Sequence, residues 1–325
     1  MGRSIKGRSI TLRQHELGSY FQDDWRLSSR LTLSLGLRHE LMLNPVEDHN
    51  RLAMFDPVTG AIVVASDNGV LPASWYSPVI VANLSDGNGN WKFPLLSDKQ
   101  ANYPARSLLE TRGNNWGPRF GLALHLPGRR QFLLRGGYGI FYNRYPIQNL
   151  EQIIAINPPF AGTFNFTQAL TGTTAAITMQ NPYGSKGAAS VSPGGLVREW
   201  KLPSNQQWNL TLERDLGWGS TLSLGYVGNK GTHLFRAMDA NGPYLDPATS
   251  VQLRRFQNTF GTVAISERTT DANSIYNAMQ TVVRRRLSHG LLFEGNWTWA
   301  KGIDNVGNAL NSSARCREPR SRPRR

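Results

Sequence analysis

The residues of this chain that could do chemistry are few and scattered. The six histidines are spread over 325 residues, and none stands in a His-x-x-x-His or Cys–His pair that could hold zinc. They are His15, His39, His49, His125, His233 and His289. The single cysteine, Cys316, permits no internal disulfide. The sequence therefore predicts no metal, no cofactor and no catalytic residue, and the protein is not expected to be an enzyme.

Three further patterns look like sites but have a simpler structural explanation. Asp23 and Asp24 would make a carboxylate pair, but neighbours on a strand point to opposite faces, so one of them is expected to cap the next turn. Residues 225–232 are rich in glycine but lack the spacing of a phosphate loop. Residues 284–286 are three arginines, which strand alternation divides between two faces near a turn, where water or lipid headgroups lie.

The net charge of +14 is unevenly placed, because the last eleven residues hold six arginines and one glutamate. A basic tail can bind nucleic acid or anionic lipid. No nucleic-acid-binding motif accompanies this tail, so no nucleic-acid partner is predicted. We expect residues 305–325 to be a disordered, Arg-rich tail.

The elements that would position any binding group are strands. Leu31, Leu33, Leu35 and Leu37 alternate with polar residues, which is the period of a sheet with one apolar and one polar face. Four pairs of such strands, each joined by a short turn, are predicted at 15–25 with 31–41, 117–126 with 131–142, 205–216 with 220–228, and 275–287 with 290–300. Long segments rich in turn signals connect the pairs, and the one at 143–204 is expected to have little regular structure.

Short turns on one edge and long loops on the other are the layout of a transmembrane β-barrel. Strands of roughly nine to eleven residues cross a bilayer when tilted. Aromatic residues near the predicted strand ends suit an interfacial girdle; they are Trp25, Tyr142, Trp208, Tyr226, Tyr276 and Trp299. No run approaches eighteen uninterrupted apolar residues, so no transmembrane helix is predicted. The predicted fold class is all-β, a partial antiparallel transmembrane β-barrel of about eight strands in four hairpins with long loops on one side.

An ordered set of segments resembles the barrel of TonB-dependent outer-membrane receptors, most closely the Oar-like group with a carboxypeptidase-regulatory-like N-terminal domain. YFQDDWR at 20–26 and LTLSLGLRHE at 31–40 are similar to the paired family motif FxQDDW…LTLxxGLRYE. Further matching segments are FDPVTG at 55–60, GPRFG at 117–121, LRGGYGIFY at 134–142, YVGNKGTHL at 226–234, YNAMQ at 276–280 and WTWAKGID at 297–304.

The resemblance implies a barrel of about 22 strands, with a plug domain inside it and a TonB box near its N-terminus. Such receptors import a bulky siderophore, cobalamin or glycan with energy passed on by TonB. This sequence shows no secretory signal, TonB box or plug, so we expect a fragment that is not transport-competent alone. Residues 1–14 would be a non-native or frayed segment and 15–304 a partial receptor barrel in the outer membrane. Its partners would be outer-membrane lipid, the bulky ligand and, in the intact protein, the plug and TonB.

Ligand recognition would lie in the long loops and the upper lumen, but no binding residue can be named from the sequence. Loop aromatics could stack on sugars or chelates, although such residues more often pack within the loop itself; the candidates are Trp75, Tyr76, Trp91, Phe160, Phe164 and Phe166. Two alternatives are a soluble all-β carbohydrate-binding module and a small self-closed adhesin-like barrel. Charge on the outward face separates the first alternative from a membrane barrel, because lipid tolerates little charge at mid-strand.

Overall fold

The computed structural model describes residues 2–5, 9–86, 90–127, 132–145, 147–165, 170–171, 174–175, 191–288 and 290–306. Its main sheet contains eight long strands, labelled β1 to β8 in chain order. They are Glu16–Arg26, Leu31–Met42, Trp116–Leu126, Phe132–Tyr142, Ser204–Gly217, Ser220–Asp239, Ser266–Ser288 and Leu291–Asp304. Each strand pairs antiparallel with the next one along the chain. The four predicted hairpins and the all-β fold class are confirmed.

The register of the sheet sorts its side chains into two faces, because residues directly opposite on neighbouring strands share a face. One row across the sheet runs through apolar and aromatic residues; its members are Leu33, Leu122, Gly136, Leu210, Tyr226, Met279 and Trp299. The adjacent row is small and polar; its members are Ser34, Gly121, Gly137, Asn209, Val227, Ala278 and Ala300. The sheet therefore has a mainly apolar face and a face of mainly small or polar residues, as the alternation predicted; Asp23, opposite Leu35, is an exception on the apolar face.

The apolar face is exposed rather than packed. Leu37, Tyr226 and Trp299 are 44%, 45% and 68% accessible, and no described element covers them. Hydrocarbon is the environment in which such a face is stable. Five of the six aromatic residues predicted to form the girdle lie on the apolar face. The sixth, Tyr276, lies opposite Asn229 and Gly302 on the polar face. Tyr276 is also in the middle of β7, because this strand begins at Ser266 and not at the predicted position 275.

The first short turn is closed by a serine and not by either predicted aspartate. Ser28 Oγ accepts hydrogen bonds from the backbone N–H groups of Arg30 and Leu31, at 3.2 and 3.1 Å. Asp23 instead accepts a hydrogen bond from the indole of Trp25 on the same face of β1. The expectation of an aspartate cap was wrong because both carboxylates lie within the paired part of the strand, opposite Leu35 and Ser34.

Within the described residues the eight strands do not close into a barrel. Strand β1 pairs only with β2, and β8 pairs only with β7. A short strand, Gly194–Leu196, pairs in parallel with the first residues of β7, Ser266 to Arg268. Because open edges in hydrocarbon leave backbone groups unpaired, this sheet is part of a barrel and not a complete one.

The long connections fold together into a packed unit, here called the loop unit: the described residues of 43–115, 143–203 and 240–265. Its short strands are Val46–Glu47, Ala53–Asp56, Ala61–Val64, Leu95–Ser97, Gly162–Asn165, Leu170–Thr171, Thr174–Ala175, Gly194–Leu196, Pro243–Leu245 and Gln252–Arg254. Its helices are the 3₁₀ turn Ala73–Trp75 and three α-helices, Pro78–Leu84, Ile147–Ile154 and Gln257–Phe260. The segment 143–204 thus has more regular structure than predicted.

A three-stranded sheet at the centre of the loop unit carries an apolar cluster on each face. Met54 and Val63 pair across it and point into one cluster, while Phe55 and Ile62 pair and point into the other. All four side chains are fully buried. The cluster that contains Met54 draws on the first two connections, and the cluster that contains Phe55 draws on all three, so the loops stabilise one another through shared hydrophobic cores.

The structure describes much of the N-terminal segment but almost none of the C-terminal tail. Within 1–14, predicted to be frayed or non-native, Gly2–Ile5 pairs with Gly162–Asn165, and Leu12–Arg13 pairs with Val46–Glu47. Leu12 also packs against one core of the loop unit, so at least this part of the segment is held in place. The Arg-rich tail lies almost wholly outside the described residues, beyond position 306.

Candidate functional site

The polar face of the main sheet is the surface that would line the lumen of a barrel. Its charged side chains are arranged in pairs between neighbouring strands. Arg135 lies 3.4 Å from Glu213, and Arg284 donates two hydrogen bonds of 3.1 Å to Glu294. These pairs lie toward the short-turn end of the sheet. A ligand that enters from the loop side would therefore first meet the polar groups near the long loops.

Two arginines and a glutamate meet on the polar face near the long-loop end. Strand β2 contributes Arg38 and Glu40, and β3 contributes Arg119, which lies opposite Gly36. The Nε of Arg38 donates to one oxygen of Glu40, and the guanidinium of Arg119 lies 4.9 Å from the ring centroid of Phe141. The polar face therefore carries two fixed positive charges here against one negative charge.

A small pocket of about 40 Å³ opens among these side chains. Gly117 forms its floor, and a Cβ at this position would lie 2.6 Å from the carbonyl oxygen of Ile140, so only glycine permits this approach of β3 to β4. The second carboxylate oxygen of Glu40, Oε2, is shielded from solvent and has no hydrogen-bond partner among the described residues. A buried carboxylate oxygen without a partner is unfavourable, so this atom is suited to accept a hydrogen bond from a water or a ligand.

The pocket is too small to enclose a bulky molecule, since its volume holds only one or a few waters. It is a contact point on the lumen wall, able to hold one polar or anionic edge of a larger ligand. Sequence reasoning did not find it, because Arg38 and Arg119 are far apart in the chain and only the strand register brings them together.

The loop aromatics proposed as stacking candidates pack inside the loop unit. Trp75, Tyr76, Trp91 and Phe160 all belong to, or pack against, the core that contains Phe55. Tyr76 meets Trp91 and Phe160 edge to face, with ring centroids 5.8 and 5.6 Å apart, and burial raises its pKa to about 12. These residues stabilise the loops, as packing aromatics do. The side chains of Phe164 and Phe166 lie outside the described residues.

The histidines and the other chemical candidates form no joint site in the described part of the chain. His39 stacks near Trp116 with centroids 4.2 Å apart, and His49 stacks on Trp75 at the same distance.

The two aspartates and the glycine-rich segment all lie in strands of the main sheet. Asp23 and Asp24 lie on opposite faces of β1, and residues 225–232 are all strand. Among the described residues no three metal-ligating side chains come together.

The sequence matches the outer membrane beta barrel domain family over residues 2–324. Because this match covers nearly the whole chain, the protein belongs to that family, and its place is the outer membrane. The family and the exposed apolar face exclude the alternative of a soluble module. No helix among the described residues has the length and apolarity needed to cross a membrane. No curated protein sequence matches the chain.

Solved structures of outer-membrane transporters overlap the chain with low identity. The alcaligin outer-membrane receptor FauA from Bordetella pertussis is 9% identical with a TM-score of 0.37, and the overlap covers 94% of this chain and 33% of that one. The outer-membrane transporter YddB from Escherichia coli is 7% identical with a TM-score of 0.37, over 91% and 34%. The FrpB iron transporter from Neisseria meningitidis is 10% identical with a TM-score of 0.32, over 93% and 38%. The chain spans about a third of the length of these structures.

Proposed function

We propose that the chain is part of the barrel of a TonB-dependent receptor that imports a bulky ligand across the outer membrane. One observation carries this proposal: eight bilayer-length strands form an uninterrupted meander that is still open at β1 and β8. A sheet of this kind needs further strands to satisfy its edges, and large barrels with a wide lumen are those of transporters. The ordered segments between Leu17 and Asp304 that resemble Oar-like receptors agree with it.

The ligand belongs to the siderophore, cobalamin or glycan class by that resemblance. The polar face near the loops supports a ligand with an anionic or hydrogen-bonding edge, because Arg38, Arg119 and the free oxygen of Glu40 point into the lumen side. The intact receptor would use a plug inside the barrel and TonB as energy source. With its edges unpaired, the isolated chain would not be transport-competent.

A small self-closed adhesin-like barrel is the remaining alternative. It would require β1 and β8 to pair, and in the described residues they do not. The two hypotheses differ in the size of the protein that accumulates in the membrane, since the alternative needs no further strands.

An immunoblot of fractionated source cells with an antibody raised against residues 42–116 tests the proposal. We expect an outer-membrane band much larger than 36.2 kDa, and we expect that protein to be retained on immobilised TonB C-terminal domain. An outer-membrane band at 36.2 kDa that TonB does not retain would support the self-closed barrel and overturn the receptor proposal.

A further inference from the structure

Two arginines lie on the apolar face of the main sheet, where charge is not expected. Arg214 in β5 lies opposite Phe132 in β4 and Leu222 in β6. Arg285 in β7 lies opposite Ser220 in β6 and Phe293 in β8. Both arginines are close to the short turns, within the last few residue pairs of their strands. In a membrane barrel the short turns face the periplasm, so both charges lie at the periplasmic boundary of the lipid-facing surface.

Neither arginine has a carboxylate partner among the described residues. The nearby acidic residues on these strands, Glu213, Asp215 and Glu294, lie on the polar face. Glu213 and Glu294 are paired there with Arg135 and Arg284, and Asp215 accepts a hydrogen bond from the Gly217 N–H. On the lumen side Arg135 and Arg284 are thus neutralised by carboxylates, whereas Arg214 and Arg285 on the lipid side are not. Unpaired guanidinium groups on a membrane surface are stable where they meet an anion.

The two guanidinium groups have different surroundings, and neither has a protein acceptor among the described residues. The Cζ of Arg214 lies 4.9 Å from the ring centroid of Phe132, a cation–π arrangement. The Nε of Arg285 is shielded from solvent and has no hydrogen-bond acceptor in the described residues. That N–H needs an acceptor that the protein does not supply, and a phosphate oxygen can provide it in bidentate geometry.

A tryptophan marks the level of the membrane boundary beside these arginines. The turn between β5 and β6 runs through Gly217, Trp218 and Gly219, all with positive φ, and Trp218 is 89% exposed. Tryptophan prefers the interfacial region of a bilayer, at the depth of the headgroups. Its position places Arg214 and Arg285 just inside that region, within reach of lipid phosphates.

We propose that Arg214 and Arg285 bind the phosphates of glycerophospholipids in the inner leaflet of the outer membrane. The inference rests on the outer-membrane placement of the sheet and does not depend on transport or on TonB. It commits to a lipid-borne phosphate because the two charges lie on a face that only lipid covers. Free inorganic phosphate shares the chemistry but lacks the acyl chains that would hold it there.

Native mass spectrometry of the full chain in neutral, phosphate-free detergent, titrated with phosphatidylglycerol, tests the site. We expect about fivefold weaker lipid binding for Arg214→Gln or Arg285→Gln alone and roughly 25-fold for the double variant. The double Arg→Lys variant keeps the charge but loses the bidentate fork, so it should bind with intermediate strength. Arg284→Gln removes a neighbouring arginine of the polar face and should bind like the unaltered chain.

Two results would overturn the site. One is unchanged phosphatidylglycerol binding in a double Gln variant whose circular dichroism shows the same strand content. The other is equal competition by inorganic phosphate at the same concentration, which would indicate a free-anion site. If the double Gln variant does not fold, the Lys pair and the two single variants decide the question by the same titration.

Discussion

Asn157 and Gly194 are joined by two hydrogen bonds inside the loop unit, each 2.8 Å long. The side-chain oxygen of Asn157 accepts from the Gly194 N–H, and its amide nitrogen donates to the Gly194 carbonyl oxygen. The carbonyl oxygens of Ala53 and Ile153 also lie 2.7 Å from this nitrogen, so its two N–H groups are shared among three acceptors. The buried side chain of Asn157 thus links the first long connection, at Ala53, to two parts of the second, at Ile153 and Gly194.

Replacing Asn157 by alanine should destabilise the loop unit by about 3 kcal/mol, because several backbone groups would stay buried without a partner. Asn157 is 1% exposed, so water cannot substitute for the amide. Limited proteolysis and thermal melting of the full chain in detergent measure the effect. Asn83→Ala is the matched control, since Asn83 makes one hydrogen bond to Val79 in a half-buried helix. Equal stability of the two variants would contradict this role of Asn157.

The ion pair between Glu47 and Arg51 predicts a pH dependence of the loop unit. Both side chains are buried, and both oxygens of Glu47 accept hydrogen bonds, from the Arg51 side chain and from the N–H groups of His49 and Arg51. Burial alone would raise the pKa of Glu47, but the hydrogen bonds outweigh it and the pKa is lowered. The folded state therefore favours the carboxylate, and this stabilisation is complete above about pH 4.3, the usual value for glutamate.

That stabilisation is lost as the pH falls through the lowered pKa of Glu47. At pH 7, Glu47→Gln should cost about 3–5 kcal/mol, because it leaves Arg51 buried without its counter-charge. The difference in melting temperature between the unaltered chain and Glu47→Gln should then shrink as the pH is lowered from 6 to 3. A difference that stays constant over this range would show that Glu47 does not titrate as inferred.

The loop unit contains the same turn twice, once with a buried aspartate and once with a half-buried one. In the sequences DPVTG at 56–60 and DPATS at 246–250, the aspartate accepts from the N–H two residues later at 3.0 Å and from the threonine hydroxyl at 2.7 Å. The N–H of the fifth residue donates to the aspartate carbonyl at 2.8 Å in both copies. The fifth residue has positive φ in each case, 70° at Gly60 and 54° at Ser250.

This repeat provides a comparison of one substitution in two environments. Asp56 is 2% exposed and also accepts a hydrogen bond of 3.0 Å from the Tyr103 hydroxyl, so Asp56→Ala should destabilise the loop unit by about 3 kcal/mol. Asp246 is only half-buried, and Asp246→Ala should lower the melting temperature much less. Thermal melting of both variants measures this, and a similar loss in the two would mean that burial of the turn contributes nothing.

The strands were predictable from sequence because their signal is local. Leu31 to Leu37 alternate since one side of β2 faces lipid and the other the lumen, and that demand is repeated in every strand. The loop unit was not predictable in this way. Phe55, Phe160 and Phe260 belong to one core, yet they come from three separate connections with no shared period. The contact of Arg38 with its pocket was missed for the same reason, since it depends on the register of β2 with β3.

We expect the polar face of β2 to tolerate a charged side chain and the apolar face not to tolerate one. Leu35 lies opposite Phe120 on the apolar face, and its neighbour Ser34 lies opposite Gly121 on the polar face. Arginine on a lipid-facing position near the bilayer midplane costs about 2–4 kcal/mol, so Leu35→Arg should insert into lipid vesicles much less well than Ser34→Arg. Flotation of vesicles after refolding measures the inserted fraction. Equal insertion of both variants would mean that the orientation of the sheet has been assigned wrongly.

The two ends of the sheet should lie on opposite sides of the outer membrane. Ala248 is at the exposed tip of the second turn in the loop unit, and Trp218 is in the short turn between β5 and β6. With Cys316→Ser as background, a membrane-impermeant maleimide applied to intact cells should label Ala248→Cys and not Trp218→Cys. Both cysteines should react after lysis, which controls for local reactivity. Labelling of Trp218→Cys alone on intact cells would reverse the topology, and with it the assignment of Arg214 and Arg285 to the inner leaflet, because the long loops would then face the periplasm.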